Sequence, residues 1–344
     1  MIKSKKLTKG DTIAIVSPSW GGPSTFPHIY NKGIENLKKL GFKIKEFPFA
    51  KKDADYTYNN PKFRAKDIND AFKDPEVKGI ITSIGGDDSI RILPYIDAKL
   101  IKKNPKIIMG YSDTTTLLTY INQIGLVTLH GPSIMAGFSQ MDSFEDTFKK
   151  QITDIFFNNP STYEYKSFES YCNGYPNWCI KSNTGKTKKM NKNKGWDWIQ
   201  GDSVVQGELF GGNIEVFEFM KSTKFWPKED FWKNKILFFE TSEEKPTPDQ
   251  VKYMLRNYGM QGIFNKISAL IIGRPMRYSN KEKKELKENV IQIIRTEFNN
   301  KKLPKIMNMD FGHTDPQWIL PLGIKAQIDC KNKSFRLIEK IFED

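Results

Sequence analysis

Short apolar segments alternate with helical patterns through the first half of the chain, and this alternation limits the folds that it can adopt. The predicted strands are Thr12–Val16 and residues 42–47, 79–84 and 106–109, and helical patterns separate them. Strands joined by helices lie parallel to one another in a sheet that helices cover on both faces. The first half is therefore predicted to form a Rossmann-like, mostly parallel α/β domain.

The alternation stops near Pro160, and a second α/β pattern begins near residue 204. It contains a predicted Gly211-Gly212-Asn213 turn, a helix at Ile214–Met220 and two helices that begin with capping boxes, at Thr247 and at Ser279. Predicted strands at residues 204–205, 235–239, 267–272, 305–309, 326–330 and 334–338 form a smaller mixed sheet. Because 344 residues are too many for one ordinary core, we predict two α/β domains, at residues 1–160 and 201–344.

Residues 161–200, between the two predicted domains, have an unusual composition. They are polar and rich in Gly, Asn and Lys, yet they contain eight Tyr, Phe and Trp residues. A plain linker does not need so many large rings. We predict an aromatic-rich, partly ordered loop that covers a site, and the alternative is a small hairpin that packs these rings for stability.

The charge balance favours no particular macromolecular partner. The chain has 54 basic and 40 acidic residues, a net charge of +14, which is compatible with binding to nucleic acid or to an anionic surface. The lysines, however, are scattered through every predicted helix and loop, beside abundant Asn and Ile. We therefore predict no nucleic-acid partner.

The sequence also argues against a membrane protein and against a metal site. It has no run of about 18 apolar residues, and its first apolar segment is too short for a signal peptide, so we predict a cytoplasmic protein with no membrane partner. The three cysteines have no metal-ligand spacing, and the three histidines are far apart. A structural zinc site and a disulfide framework are therefore not expected.

The segment Gly110-Tyr111-Ser112-Asp113-Thr114 contains a candidate nucleophile. It joins a predicted strand to a predicted helix, and ligands of open α/β sheets bind at the carboxyl ends of the strands. A serine on a sharp strand-to-helix turn exposes its hydroxyl beside free backbone N–H groups. The alternative is that Ser112 only caps the helix.

A second predicted strand end carries the glycine pair Gly85-Gly86. Paired glycines let backbone N–H groups approach an anion, either a phosphate or the oxyanion of acyl transfer. The alternative is a tight turn that needs only their conformational freedom. The sequence has no Walker motif and no dinucleotide fingerprint, so nucleotide hydrolysis and dinucleotide binding are not favoured.

A carboxylate and a histidine lie at two strand ends of the second half. Glu240 ends a buried apolar strand, where it needs a partner such as a histidine N–H, and His313 follows another predicted strand. The alternative for Glu240 and for His313 is a solvent-exposed polar group. His130 is the competing candidate for the general base, and His28 begins a predicted helix. A serine nucleophile needs a base and a group that orients the base, and these residues supply both.

Five motifs of the chain resemble those of a known family when they are taken together. They are Gly110-Tyr-Ser-Asp-Thr114, Ile84-Gly-Gly-Asp87, Gly207-Glu-Leu-Phe-Gly-Gly-Asn213, Phe239-Glu-Thr-Ser-Glu-Glu-Lys-Pro246 and Gly312-His313. As a set they are similar to the serine LD-carboxypeptidase family, which includes murein tetrapeptide carboxypeptidases and microcin C self-immunity peptidases. The resemblance covers nearly the whole chain. It implies an active site between two domains, often in a homodimer, with no metal or other cofactor.

The resemblance implies a role for each matching residue. Ser112 corresponds to the nucleophile, Glu240 to the triad carboxylate and His313 to the general base, and the N–H groups of Gly86 and Asp113 correspond to the oxyanion hole. The run from Glu240 to Pro246 and the aromatic insert are more similar to the microcin C branch, in which rings stack on the nucleobase of an aminoacyl nucleotide. The substrate-binding residues implied in this way are Trp178, Trp196, Asn213 and Lys245.

We therefore predict a serine carboxypeptidase or amidase whose substrate is a small peptide or aminoacyl nucleotide. The preferred reaction is hydrolysis of the amide-type bond in microcin C-like aminoacyl nucleotides, for self-immunity or detoxification. One alternative is an LD-carboxypeptidase that removes the terminal D-residue of murein tetrapeptides in cell-wall recycling. It would have the same triad, but its pocket would contain a basic group that binds the free carboxylate of the leaving D-residue. The other is a binding protein that is not an enzyme.

Overall fold

In the computed structural model, which describes residues 1–344, the first half of the chain forms most of a six-stranded sheet. Its strands are β1 (Thr12–Val16), β2 (Lys43–Glu46), β3 (Val77–Thr82), β4 (Ile107–Gly110), β5 (Thr128–His130) and β14 (Leu320–Leu322). The order is β14-β5-β4-β3-β1-β2, and all neighbours are parallel except β14 and β5. The predicted mostly parallel sheet is confirmed.

The second half forms most of an eight-stranded sheet, which is mixed as predicted but larger than the first sheet and not smaller. Its strands are β6 (Tyr163–Tyr165), β9 (Asp197–Gln200), β10 (Val204–Asn213), β11 (Lys235–Glu240), β12 (Ala269–Gly273), β13 (Lys305–Met309), β15 (Lys325–Asp329) and β16 (Ser334–Leu337). Strands β10 to β13 are parallel, and their neighbours on both sides are antiparallel. This sheet has more strands than the first because residues 161–200 contribute two of them.

Ten α-helices accompany the two sheets. They are α1 (Gly22–Thr25), α2 (Pro27–Lys39), α3 (Ala54–Asn59), α4 (Pro61–Lys73), α5 (Ala98–Lys103), α6 (Thr115–Gln123), α7 (Asp146–Thr153), α8 (Ile214–Met220), α9 (Pro248–Met260) and α10 (Asn280–Ile291). The predicted capping boxes are present at Thr247 and Ser279, where each hydroxyl accepts a hydrogen bond from a first-turn N–H group. No helix combines the length and the apolar composition that crossing a membrane requires.

Residues 161–200 are better ordered than the sequence indicates. Strands β6 and β9 lie at opposite edges of the second sheet, and β7 (Ser170–Cys172) pairs with β8 (Met190–Lys192) in a separate hairpin. A buried carboxylate, Asp310, fastens the end of this segment: it accepts hydrogen bonds from Asn193 and Trp196 and pairs with Arg274 at 2.7 Å. The segment is therefore built into the second sheet.

The Gly211-Gly212 pair lies inside strand β10 and not in the predicted turn. A side chain at Gly212 would place its Cβ only 2.5 Å from the methyl group of Thr115, at the start of α6. The N–H group of Asn213 donates a hydrogen bond to the Thr115 hydroxyl at 3.0 Å. The glycines therefore serve a close approach between the second sheet and a helix of the first.

The two sheets share one continuous apolar core. Ile15 and Met109 of the first sheet belong to the same buried cluster as Phe238 and Ile271 of the second. Strand β14 adds a covalent connection, since the chain returns from the second half to pair with β5 of the first sheet. The loops at the strand ends of the two halves are thereby held against one another.

Candidate active site

Ser112 lies on a sharp turn between strand β4 and helix α6. The strand ends at Gly110, and Ser112 opens a short 3-10 helix with a positive φ of 60°, a strained value for a residue with a side chain. No helix in this region receives a capping hydrogen bond from the Ser112 side chain. The hydroxyl is instead directed to His313, at 3.1 Å from Nε2.

The glycine pair after strand β3 packs directly against this serine. A Cβ atom at Gly85 would lie 2.7 Å from Ser112 Oγ, so no larger residue fits there without displacing the hydroxyl. At Gly86 a Cβ atom would lie 2.2 Å from Ser19 Oγ. The N–H groups of Gly86 and Asp113 donate to no other group of the protein. Two free donors therefore lie beside the serine hydroxyl.

The Asp113 side chain anchors the turn. It is fully buried and accepts hydrogen bonds from the Ser19 hydroxyl at 2.5 Å and the Ser89 N–H group at 2.7 Å. Burial raises the pKa of Asp113, although these donors act in the opposite direction. Since the side chain faces the protein interior, only the backbone of Asp113 is available to a ligand.

His313 and Glu240 complete a continuous line of hydrogen bonds to Ser112. The imidazole Nδ1 lies 2.6 Å from Glu240 Oε2, and both side chains are almost completely buried. Gly312 allows this approach, because a Cβ atom there would lie 2.6 Å from the Glu240 Cβ. Burial opposes the charged imidazolium, but the charge of Glu240 and hydrogen bonds to Glu240 and Glu243 raise the pKa of His313 well above its usual value.

Sequence reasoning did not identify Glu243, which also contacts the imidazole. Its Oε2 lies 2.9 Å from His313 Nε2, the nitrogen that faces Ser112. The signal available in the sequence was the pair Glu243-Glu244, three residues after the strand-end carboxylate Glu240. A hydrogen bond from the Ser242 N–H group to Glu215 holds the loop that carries this pair.

Two cavities open at Ser112. The smaller, of about 180 Å³, is lined by Trp20, Ile84, Gly85, Gly86, Tyr111, Ser112, Tyr175, Trp178, Glu243 and His313. The larger, of about 610 Å³, is lined by Trp20, Gly86, Asp87, Ser112, Asn213, Glu215, Val216, Phe219, Ser242, Glu243 and Glu244. No Lys or Arg side chain lines either cavity.

The structure places two of the four predicted substrate-binding residues at these cavities. Trp178 lines the smaller cavity, and its buried indole N–H group has no partner. Its ring lies 5.7 Å from that of Tyr175, whose hydroxyl meets the Tyr111 hydroxyl at 2.5 Å. Asn213 lines the larger cavity: its Oδ1 caps helix α8, and its buried Nδ2 has no partner.

The other two predicted substrate-binding residues lie outside both cavities. The Trp196 indole donates a hydrogen bond to Asp310 at 2.8 Å, and its ring packs edge-on against Trp318. Lys245 pairs with Glu282 at 2.7 Å, at the start of helix α10. Trp196 and Lys245 therefore stay predictions, and the contacts seen here engage both side chains within the second domain.

The two remaining histidines do not contact Ser112. His130 is buried with no hydrogen-bond partner on either ring nitrogen, and burial lowers its pKa to about 4. His28 contacts the backbone carbonyl of Trp178 at 2.9 Å. No group of three or more His, Cys, Asp or Glu side chains is arranged to hold a metal ion.

Comparison with known proteins identifies both halves of the chain. Residues 13–131 match the LD-carboxypeptidase N-terminal domain, and residues 206–328 match the C-terminal domain. The chain is 30% identical over 337 residues to the microcin C7 self-immunity protein MccF of Escherichia coli, covering 97% of this chain and 95% of that protein. It is 28% identical over 335 residues to a probable murein peptide carboxypeptidase of Bacillus subtilis, covering 96% and 93%.

A solved structure has the same fold over the full length. MccF in complex with aspartyl sulfamoyl adenosine matches with a TM-score of 0.87 at 28% identity, covering 100% of both chains. The match spans both α/β domains and the segment between them. With both family domains matched and a relative of 30% identity along nearly all of its length, the chain belongs to the LD-carboxypeptidase family and is a hydrolase that acts as a carboxypeptidase.

Proposed function

We propose that this carboxypeptidase uses Ser112 as its nucleophile, His313 as its general base and Glu240 as the carboxylate that orients the base. The observation that carries the proposal is the line of hydrogen bonds from Glu240 through His313 to Ser112, at 2.6 Å and 3.1 Å. A serine hydroxyl is a weak nucleophile until a base takes its proton, and the base needs a partner that fixes its tautomer.

The reaction follows from this geometry. Ser112 Oγ attacks the scissile carbonyl carbon while its proton moves to His313 Nε2, and the carbonyl oxygen becomes an oxyanion facing the N–H groups of Gly86 and Asp113. His313 then gives the proton to the leaving nitrogen as the C–N bond breaks, which leaves an acyl-enzyme. A water molecule, deprotonated by His313, attacks the ester, and Ser112 recovers its proton. Donors fixed in advance at the oxyanion stabilise it without reorganisation.

The substrate supported best is an aminoacyl nucleotide of the microcin C type, cut at the amide-type bond beside the amino acid. Trp178, Tyr175 and Trp20 line the smaller cavity and offer aromatic faces beside the nucleophile. Stacking of a nucleobase on such a ring stabilises binding by about 1–3 kcal/mol. The MccF structure with aspartyl sulfamoyl adenosine has the same fold, and its ligand is an aminoacyl-nucleotide analogue.

A murein tetrapeptide is the second candidate, supported by the similarity to the Bacillus subtilis relative. That substrate carries a free carboxylate on its leaving D-residue, for which we expect a basic side chain in the pocket. The absence of Lys and Arg from both cavity linings favours the aminoacyl nucleotide. We also propose a homodimer, as the family resemblance implies, and a cytoplasmic location, as the sequence predicts.

The proposal is tested by measuring hydrolysis of alanyl- and glutamyl-sulfamoyl adenosine and of a murein tetrapeptide by the wild type and by Ser112→Ala. We expect cleavage of the adenosine compounds that the substitution abolishes without changing the circular dichroism spectrum. Cleavage of the tetrapeptide alone, abolished by the substitution, would support the triad but would assign the enzyme to cell-wall recycling. Turnover that persists in Ser112→Ala would refute the proposed nucleophile.

A further inference from the structure

One ring nitrogen of His313 has two competing neighbours. Ser112 Oγ lies 3.1 Å and Glu243 Oε2 lies 2.9 Å from the same Nε2 atom. The contact with Glu243 is an ion pair, so it is favourable only when the imidazole is doubly protonated, with one proton on Nδ1 toward Glu240 and the other on Nε2. A protonated Nε2 cannot take the proton of Ser112. In this arrangement the general base is therefore occupied.

Glu243 is placed to exchange this partner for a ligand. Its side chain is 48% exposed, whereas that of His313 is only 2% exposed, and Glu243 lines both cavities at Ser112. An exposed carboxylate on a loop can turn toward a bound molecule, while the buried imidazole stays fixed by Glu240. Glu243 is thus the less enclosed member of the pair.

The larger cavity is suited to a cationic ligand. Asp87, Glu215, Glu243 and Glu244 line it, with no Lys or Arg among them. The buried Nδ2 of Asn213, also in this lining, has no partner and is free to donate to an oxygen atom of the same ligand. A carboxylate and an amide donor in one lining match a substrate that carries an ammonium group and, apart from its scissile carbonyl, a second oxygen acceptor.

We propose that Glu243 is a specificity-determining residue that binds an ammonium group on the acyl part of the substrate, and that this binding releases His313 to act as the base. The inference rests on the proposed function and specifies which acyl groups it accepts. As Glu243 turns to the ammonium, the Nε2 proton of the imidazolium passes to water, so that the positive charge of the substrate replaces that of His313. The neutral Nε2 then accepts the Ser112 proton.

The consequence is selection for acyl groups with a free amine. A substrate whose amine is acetylated cannot pair with Glu243, and the base stays protonated in a larger fraction of the enzyme. We therefore expect alanyl substrates to react faster than their N-acetyl counterparts.

The test uses two covalent probes of Ser112 that differ only at the amine: diphenyl 1-aminoethylphosphonate and its N-acetyl derivative. Labelling rates are measured by mass spectrometry at neutral pH for the wild type, Glu243→Gln, Glu244→Gln and Ser112→Ala. In Glu243→Gln the rate ratio of the amine probe to the acetylated probe should fall roughly tenfold to a hundredfold, the range for a charged hydrogen bond. The acetylated probe should label this variant about tenfold faster, since the imidazolium has lost one of its two carboxylate partners.

A pH profile of labelling by the acetylated probe provides a second readout. Removal of the Glu243 charge lowers the pKa of His313, so the acidic limb of the profile should move to lower pH. The other titratable or charged groups that face His313 or Glu243 are Tyr111, His130, Tyr175, Glu215, Glu240, Arg277 and Asp315. These stay unchanged in the variant. Glu244→Gln removes a nearby charge that does not contact the imidazole, and should have the smaller effect on both readouts.

The outcomes separate this inference from the proposed function. A Glu243→Gln variant that labels more slowly with both probes would show that Glu243 only supports the site, and an unchanged probe ratio would exclude ammonium recognition. Either result overturns the inference while leaving Ser112 as the nucleophile. If Ser112→Ala were labelled as fast as the wild type, the proposed triad itself would be refuted.

Discussion

A single methyl group at position 85 should disable the enzyme. In Gly85→Ala the new Cβ would lie 2.7 Å from Ser112 Oγ and 2.8 Å from Ser112 Cβ. Ordinary contacts of this kind are about 3.5 Å, so the overlap is roughly 0.8 Å. The backbone at Gly85 has no positive φ, and an alanine there is not strained by its own conformation. The overlap must therefore be relieved by movement of Ser112 or of the loop that carries Gly85 and Gly86.

Either displacement damages the proposed chemistry. If Ser112 Oγ moves away from position 85, its 3.1 Å hydrogen bond to His313 lengthens beyond the useful limit of about 3.2 Å. If the loop moves instead, the N–H group of Gly86 leaves the position where the oxyanion forms. A misplacement of about 1 Å reduces the rate on the order of a hundredfold, or about 2.7 kcal/mol of transition-state stabilisation.

The assay compares kcat/KM and thermal unfolding of Gly85→Ala with those of Gly262→Ala. Gly262 has a positive φ of 71° and nothing within 4 Å of an added Cβ, so its substitution destabilises the fold, typically by about 1 kcal/mol, without reaching the active site. We expect the large loss of kcat/KM in Gly85→Ala only, together with slower labelling by a phosphonate. Full activity of Gly85→Ala in a folded protein would refute the packing argument.

Further predictions concern the triad, the aromatic insert and the buried ion pair. Glu240→Gln should lower kcat about 10³- to 10⁴-fold with an unchanged circular dichroism spectrum, as in other triads that lose the orienting carboxylate; full activity would exclude this role. Trp178→Ala should raise KM for an aminoacyl nucleotide by about tenfold to a hundredfold, whereas Trp196→Phe should leave KM unchanged and lower the melting temperature. Arg274→Met should destabilise the fold by about 3–5 kcal/mol in urea unfolding, because Asp310 stays buried without its partner; a loss below about 1 kcal/mol would contradict this account.

Local patterns in the sequence were sufficient for the elements that carry the chemistry. The strand before Ser112, the strand that ends at Glu240 and the capping boxes at Thr247 and Ser279 are set by neighbours within a few residues, and the structure shows all of them. The order of the candidate triad along the chain followed from the same strand ends. Local patterns could not show that Ser112, Glu240 and His313 meet in space. Along the chain, 73 residues separate Glu240 from His313 and 201 residues separate Ser112 from His313.

Contacts between distant elements account for what the sequence did not indicate. Strand β14 has only three residues, too few for a recognisable period, and its pairing with β5 depends on the packed fold. Trp178 and Trp196 look equivalent in the sequence, but the hydrogen bond from Trp196 to Asp310, more than 100 residues away, distinguishes them in the structure. Glu243 was missed for the same reason: its importance comes from the imidazole that another loop brings to it.

The glycine pair of strand β10 shows how such a contact serves the proposed catalysis. Two adjacent glycines indicate a turn when only their conformational freedom is considered, yet Gly212 is small because Thr115 lies against it. Thr115 begins helix α6, three residues after Ser112, and its hydroxyl accepts the Asn213 N–H hydrogen bond. The second sheet, which carries Glu240, is therefore fixed to the first within one helical turn of the nucleophile. An active site assembled from two sheets needs such a contact, because a shift of about 1 Å between them would separate the serine from its base.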